Sequence, residues 1–287
     1  MTGSKKLLVV IDPTTDHQMA LTRAAQLASD INSGLHLFCC TYLDQRDLAQ
    51  FSSRKDAKHH ELERVNHWLE SLAAPLLADG LNVECEAWWN EHWAESISHA
   101  AARCGASLIV KSSFSHNKAR RTLSKTSDFT LLRHAPCPVL LTKSKDTWMN
   151  NRILAALAID RHDKEHERLN NTIIREAQRL SQATGFDLHL VAAHFDHPDL
   201  AVTFEEMHLS SNSTATEKVA QRFGVPLANV HLANGTPHDV ILDTAYLLKA
   251  DLVIIGTTAR QGLKGALMGN TAEKILDELE TDLLTIG

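Results

Sequence analysis

KLLVVID at residues 6–12 and RILAALAID at residues 152–160 are two short apolar runs that open the two halves of the chain in the same way. Each is followed by a long helical pattern and then by a second strand-like run, LHLFCCTY at 35–42 in the first half and DLHLVAAH at 187–194 in the second. Continuous runs of Val, Ile and Leu that alternate with helices are typical of parallel strands covered on both faces. The repeat therefore predicts two domains of one α/β plan in tandem.

The repeat continues to the end of each half, where CGASLIVKSS at 104–113 matches ADLVIIGTT at 250–258. We expect two domains, at 1–145 and 151–287, each with a five-stranded, mainly parallel, doubly wound sheet of the flavodoxin or Rossmann-like kind. In such open sheets, ligands bind beyond the carboxyl ends of the strands, where the strand order reverses. The segments after the first and fourth strands are therefore the places to look for a site.

The composition is that of an ordinary globular protein, with 44% hydrophobic and 22% charged residues among 287. The net charge is −6 and the lysines and arginines are scattered, so nucleic acid is not an expected partner. The five cysteines show no CxxC pairing and are expected to be free thiols. No apolar run approaches the roughly 18 residues of a membrane span, and no signal peptide is visible, which predicts no membrane span and a cytoplasmic location.

The segment after the fourth strand of the second half, GTTARQGLKGALMGNTAE at 256–273, is rich in glycine. Glycines allow positive φ and let successive backbone N–H groups converge on an anion. Asn270 followed by Glu273 is a capping-box pattern, which predicts a helix with Asn270 as its N-cap and its positive end toward the loop. Thr271 and Arg260 would add a hydroxyl and a positive charge. The same residues also fit a tight connection that only shapes the chain and caps a helix.

This spacing resembles the G-x2-G-x9-G-(S/T) signature of the universal stress protein family, and two such domains in one chain resemble its tandem, E-type members. The resemblance implies either a nucleotide-binding or a non-binding member. In binding members the loop holds the phosphates, and a carboxylate at the end of the first strand serves the nucleoside. Gly256 and Gly269 match the signature, whereas Ala259 and Asn270 depart from it. The phosphate contacts it implies are Gly256, Arg260, Gly262, Gly269, Asn270 and Thr271.

The strand-end carboxylate is present in the first half only. Asp12 holds that position there, while alignment of the second half puts Ala158 in its place and Asp160 two residues later. Ala158 and Asp160 are therefore expected to face the nucleoside. The first half has the opposite defect, because its loop at 111–126 contains no glycine. We expect the first domain not to bind nucleotide, and Asp12 either to hydrogen-bond the backbone or to serve a ligand.

Two other groups of residues attract attention. The histidines at 194–208 are expected to be solvated loop residues rather than a metal site, because two histidines three apart fix no third ligand. The three tryptophans at 88–93 are expected to pack under helices or against the second domain, with an apolar ligand cavity as the alternative.

The function expected from these features is that of a non-catalytic stress protein whose second domain binds an adenine nucleotide, ATP with or without magnesium, as a regulatory ligand. Slow ATP hydrolysis stays open, although no nucleophile or base pattern is present. The alternative is a scaffold of the same fold that binds a partner protein or an apolar small molecule between the domains. The resemblance also implies an intramolecular pseudo-dimer, which leaves a monomer or a homodimer open.

Overall fold

A computed structural model describes the chain in five segments, at residues 5–113, 128–159, 163–194, 215–257 and 269–287. The chain divides into two compact units, Met1–Lys145 and Asp146–Gly287. Among the residues in these segments, no helix combines the length and the apolar character needed to cross a membrane.

The first unit contains a parallel sheet in the order β3-β2-β1-β4-β5. The order reverses between β1 and β4, so the carboxyl ends of these two strands mark the switch point. Its strands are β1 (Lys6–Val10), β2 (Gly34–Thr41), β3 (Val83–Trp89), β4 (Ala106–Ser112) and β5 (Val139–Thr142). Its helices are α1 (Met19–Ile31), α2 (Gln45–Leu48), α3 (Arg54–Ala78), α4 (Trp93–Cys104) and α5, described over 128–134.

The second unit repeats this order as β8-β7-β6-β9-β10, again with parallel pairing. The predicted fold class, two tandem five-stranded doubly wound sheets, is confirmed. Its strands are β6 (Arg152–Ala156), β7 (Asp187–His194), β8 (Val230–Asn234), β9 (Leu252–Gly256) and β10 (Asp282–Ile286). Its described helices are α6 (Lys164–Thr184), α7 (Ala215–Phe223), α8 (Pro237–Leu248) and α9 (Asn270–Glu278), with a 3-10 turn at Leu227–Asn229.

Helix α6 illustrates why the sequence folds as it does. Asp163 is its N-cap, and the carboxylate accepts the N–H groups of Glu165 and His166 at 3.1 and 2.9 Å. The helix ends at Gly185, whose φ of 73° is the left-handed C-terminal conformation that glycine adopts without strain. Its apolar residues recur at helical spacing and are buried, as expected of one face packed on a sheet: Ile173, Ile174, Ala177 and Leu180.

Candidate functional site

A cavity of about 470 Å³ lies in the second unit at the carboxyl ends of β6, β7 and β9. This is the edge of the sheet at which the reversal of strand order predicts a ligand, and the volume is typical of small-molecule sites. Its inner wall is largely apolar, with Leu169, Ile173 and Ile241 among the residues that line it. Polar groups come from the first turns of α6 and α9.

The register of the strands shows which residues of the two units correspond. One residue beyond β1, the N–H of Ile11 donates to the carbonyl of Phe38 at 2.9 Å. One residue beyond β6, the N–H of Leu157 makes the same bond to β7, also at 2.9 Å. Asp12 and Ala158, the next residues along, therefore hold equivalent positions, and the second unit has no carboxylate at the position of Asp12.

A side-chain amide holds this strand end in both units. In the first, the N–H of Asp12 donates to Gln18 Oε1 at 3.1 Å, and Gln18 Nε2 donates to the Asp12 carbonyl at 2.8 Å. In the second, Asn170 makes the same two bonds with Ala158, at 3.1 and 2.9 Å. Both backbone groups of the strand end are thereby satisfied from the helix that follows. The side chain of Ala158 contributes no polar atom to the cavity.

The carboxylate of Asp12 makes local contacts. It accepts the N–H of Thr14 at 2.9 Å and the hydroxyl of Thr14 at 2.6 Å, both through Oδ1. These bonds form a turn of the kind that aspartate favours at a chain reversal. They support the interpretation of Asp12 as a residue that shapes the backbone.

Gly256 is required for packing, not for a left-handed backbone. It is the last residue of β9 and is absent from the residues with positive φ. A Cβ placed on it would lie 2.4 Å from Cδ2 of Leu169, so glycine lets α6 approach the sheet closely. The equivalent residue of the first unit is Ser112, whose hydroxyl instead accepts the N–H of Ala20 at 3.1 Å.

The start of α9 differs from the predicted one. The N-cap is Gly269, with φ −66° and ψ 146°, and Asn270 is already the first helical residue. The prediction of Asn270 as N-cap is therefore wrong by one residue, because the extended backbone that an N-cap needs is adopted by the preceding glycine. The carbonyl of Gly269 accepts the N–H of Glu273 at 3.1 Å, and this N-cap residue has no side chain with which to cap the helix.

Three helices contribute described residues to the cavity wall, and only α9 among them begins without a side-chain cap. Asp163 caps α6, and Thr236 caps α8 by accepting the N–H of Asp239. A Cβ on Gly269 would meet no atom within 4 Å, so the space beside this helix start is open. The first-turn N–H groups of α9 are thus left for another partner at the cavity wall.

The structure brings five of the predicted site residues to this one cavity: Ala158, Gly256, Gly269, Asn270 and Thr271. The other three, Asp160, Arg260 and Gly262, lie outside the described residues.

Two residues that line the cavity, Asn170 and His166, were not predicted from the sequence. Nδ1 of His166 lies 2.7 Å from Oδ2 of Asp163, and the half-buried imidazole lines the cavity. Hydrogen bonds from the His166 N–H and imidazole lower the pKa of the Asp163 carboxyl. The spacing D-x-x-H at a helix start is the one signal in the sequence for this pair.

The corresponding place in the first unit is occupied by an ion pair. Lys111, equivalent to the cavity residue Ile255, lies with Nζ 2.8 Å from Oδ1 of the buried Asp128. Ser113 donates to the other oxygen of Asp128 at 2.7 Å, and the ammonium lies 5.2 Å from the centre of the Trp93 ring. The first unit therefore places charged side chains where the second has an apolar wall.

The remaining candidate groups give no second site in the described residues. No cluster of three or more His, Cys, Asp or Glu that could hold a metal is present there, and of the histidines at 194–208 only His194 is described. Trp88, expected to pack under helices or against the second domain, is 44% exposed on the edge strand β3, and the Arg103 guanidinium lies 4.9 Å from its ring centre. The five cysteines are free, and burial raises the pKa of Cys39 to about 12.

Comparison with known proteins agrees with this fold and identifies the family to which the chain belongs. The model of the universal stress protein family matches residues 3–143 and again 149–287. Universal stress protein E of Escherichia coli K12 is 28% identical over 295 residues, covering 98% of this chain and 93% of its own. The universal stress protein E homolog of Haemophilus influenzae is 27% identical over 299 residues, with coverages of 98% and 97%.

Solved structures show the same likeness. A putative universal stress protein from Pseudomonas aeruginosa UCBPP-PA14 is 32% identical, with a TM-score of 0.78, over 99% of this chain and 93% of that one. A universal stress protein from Archaeoglobus fulgidus DSM 4304 is 16% identical and shares the fold, with a TM-score of 0.74 and coverages of 99% and 98%. Since two consecutive family matches span nearly the whole chain, the protein belongs to the universal stress protein family as a tandem, two-domain member.

Proposed function

We propose that the second unit binds an adenine nucleotide, ATP in the first instance, as a regulatory ligand. The observation that carries the proposal is the start of α9, which lies on the cavity wall without a side-chain cap. A helix N-terminus carries a partial positive charge and unsatisfied N–H groups, both of which a phosphate neutralises. The hydroxyl of Thr271, in the first turn, is a further donor on the same wall.

The rest of the cavity suits the remainder of a nucleotide. Leu169, Ile173, Ile241 and Ile275 offer apolar surface on which a planar base packs, and the volume is within the range of sites for molecules of this size. The first unit is proposed not to bind, since a ligand there would have to displace the ion pair between Lys111 and the buried Asp128. Breaking a buried pair leaves a charge uncompensated and is costly.

Two substitutions at Gly269 test the proposal as a matched pair. The backbone at this position suits any residue and the space beside it is open, so neither variant is strained. Gly269→Asp supplies a carboxylate that caps α9, which stabilises the helix by a few tenths of a kcal/mol but occupies the N–H groups that a phosphate needs. Gly269→Ala adds a side chain without a cap.

Calorimetric titration with ATP, with and without magnesium, is expected to show micromolar binding for the native protein and for Gly269→Ala. Gly269→Asp is expected to bind at least about tenfold more weakly while melting at the same or a slightly higher temperature. Equal affinity in the two variants would contradict the role of α9. Native protein that binds no ATP at millimolar concentration would overturn the proposal, and an apolar fluorescent probe that binds in this cavity would then favour the alternative scaffold.

A further inference from the structure

At the end of β6, the described residues of the second unit provide no side-chain carboxylate at the position that Asp12 holds in the first unit. Asp12 ends the strand in one unit and Ala158 in the other, at equivalent positions of the register. The oxygen and the nitrogen of the Asn170 amide each make one hydrogen bond with the Ala158 backbone. A ligand with hydroxyl groups at this end is favoured by an acceptor on the following helix, because a buried polar group without a partner is penalised.

His166 is placed to supply that acceptor. It lies four residues before Asn170, so both side chains are on one face of α6, about 5–6 Å apart. Since Asn170 contacts the backbone of Ala158 at 2.9 Å, His166 stands one helical turn beyond the strand end. Both residues line the same cavity.

The contact with Asp163 fixes what the imidazole presents. A carboxylate only accepts, so the 2.7 Å contact places the proton of the neutral ring on Nδ1. Asp163 is itself held by the two N–H groups of α6 that it caps. The lone pair of Nε2 is then the free hydrogen-bonding site of the ring.

The charges around His166 favour a neutral ligand group at this end. Asp163 is its partner, and Glu165 lies on the rim of the same cavity. The next charged residue along α6, Glu167, is in an ion pair with Arg222 of α7 at 3.3 Å. Carboxylates repel a phosphate, so the anionic end of a ligand belongs at α9 and a hydroxyl group at His166.

We propose that Nε2 of His166, oriented by Asp163, accepts a hydrogen bond from a sugar hydroxyl of the bound nucleotide, in place of a strand-end carboxylate. This inference rests on the proposed nucleotide site and deepens it. The two units thus differ in which element carries the polar group: the strand end in the first, and the first turn of the following helix in the second.

The test compares ATP with 2′,3′-dideoxy-ATP, which keeps the base and phosphates and lacks the hydroxyls. All titrations are made at pH 8. The native protein is expected to prefer ATP by roughly three- to tenfold, as one neutral hydrogen bond provides. His166→Leu should lower this ratio to about one, and His166→Gln should keep most of it, since the amide oxygen reaches the place of Nε2.

A second variant, Asp163→Ser, retains an N-cap but removes the partner of the imidazole, and is expected to give an intermediate ratio. The urea midpoint of each variant shows whether it folds. If His166→Leu does not fold, Asp163→Ser provides the test in its place. A native protein that binds both nucleotides equally, or a ratio unchanged in His166→Leu, overturns this inference and leaves the nucleotide site standing. Absence of binding by both nucleotides overturns the proposed function and this inference with it.

Discussion

Acid should destabilise the second unit through a pair of histidines on neighbouring strands. His189 on β7 and His231 on β8 stack with ring centres 5.3 Å apart and planes at 24°, and Nδ1 of the first lies 3.1 Å from Nε2 of the second. Burial lowers the pKa of both, and for His189 the charges of His231 and Arg152 lower it further while Asp187 opposes them. The contact is satisfied when one ring donates and the other accepts.

The sign and the size of the effect follow from this geometry. Because the folded pKa values lie below the ordinary 6.5, the unfolded chain binds more protons, so stability is full above about pH 6.5 and falls as the pH decreases. Two cations 5.3 Å apart repel by about 3 kcal/mol at an effective dielectric constant of about 20. Keeping one imidazole neutral at pH 5 costs only about 2 kcal/mol, so the folded pair leaves one proton unbound.

The assay is urea unfolding of the native protein and of His231→Gln at pH 7.5 and pH 5.0, fitted with one transition for each unit. Glutamine keeps a hydrogen bond to His189 and carries no charge. The native second unit should lose about 2 kcal/mol more than the variant across this interval. Hydrogen exchange of peptides from β7 and β8 should locate the difference.

The matched control is His36→Gln in the first unit. His36 holds the position equivalent to His189, but its ring nitrogens lie 3.3 and 2.9 Å from the carboxylates of Glu84 and Glu86. This variant should leave the acid sensitivity of the second unit unchanged. The reasoning is refuted if the native protein and His231→Gln lose the same stability, within about 0.5 kcal/mol, between the two pH values.

Three further results are expected. Gly256→Ala should lower stability by about 1–3 kcal/mol through collision with Leu169, and Leu169→Ala in the same chain should recover part of the loss; strictly additive losses would exclude the collision. Cys39 in the folded protein should react with iodoacetamide at pH 8 at least about 100-fold more slowly than in the unfolded chain, because its pKa of about 12 keeps the thiol protonated. Similar rates of modification in the two states, measured by mass spectrometry, would contradict this. Asn170→Ala and Gln18→Ala should each lower the free energy of unfolding by about 1–3 kcal/mol, because each leaves strand-end backbone groups without partners. Thermal or urea unfolding measures the loss. An unchanged free energy at either position would show that the amide contact does not hold that strand.

The fold could be predicted because buried parallel strands leave a plain signal. KLLVV and RILAA at the starts of β1 and β6 are continuous apolar runs, and both are almost wholly buried. The alternation of such runs with helices and the repeat between halves then determine the class of fold. The position of Ala158 followed from the same alignment, since strand register is set by residues that the core constrains.

The site could be predicted only where it depends on local sequence. The residues at 269–271 are near one another in the chain, and sequence placed them together, although it chose Asn270 and not Gly269 as the N-cap. Neither strand-end amide was predicted from the sequence, because Gln18 follows Asp12 by six residues whereas Asn170 follows Ala158 by twelve. The two amides are equivalent in the folded structure, but their distances along the sequence from the strand end differ.

Comparison of the two units shows that the open cavity depends on more than its glycines. Lys111 and Ile255 hold the same place, and a largely desolvated ammonium there is stabilised by a partner such as Asp128, from which it lies 2.8 Å away. This ion pair lies at the switch point of the first unit. Ile255 holds the same position in its sheet and needs no charged partner. Its side chain lines the cavity. The two units therefore already differ in the last residues of β4 and β9, before the glycine-rich loop is reached.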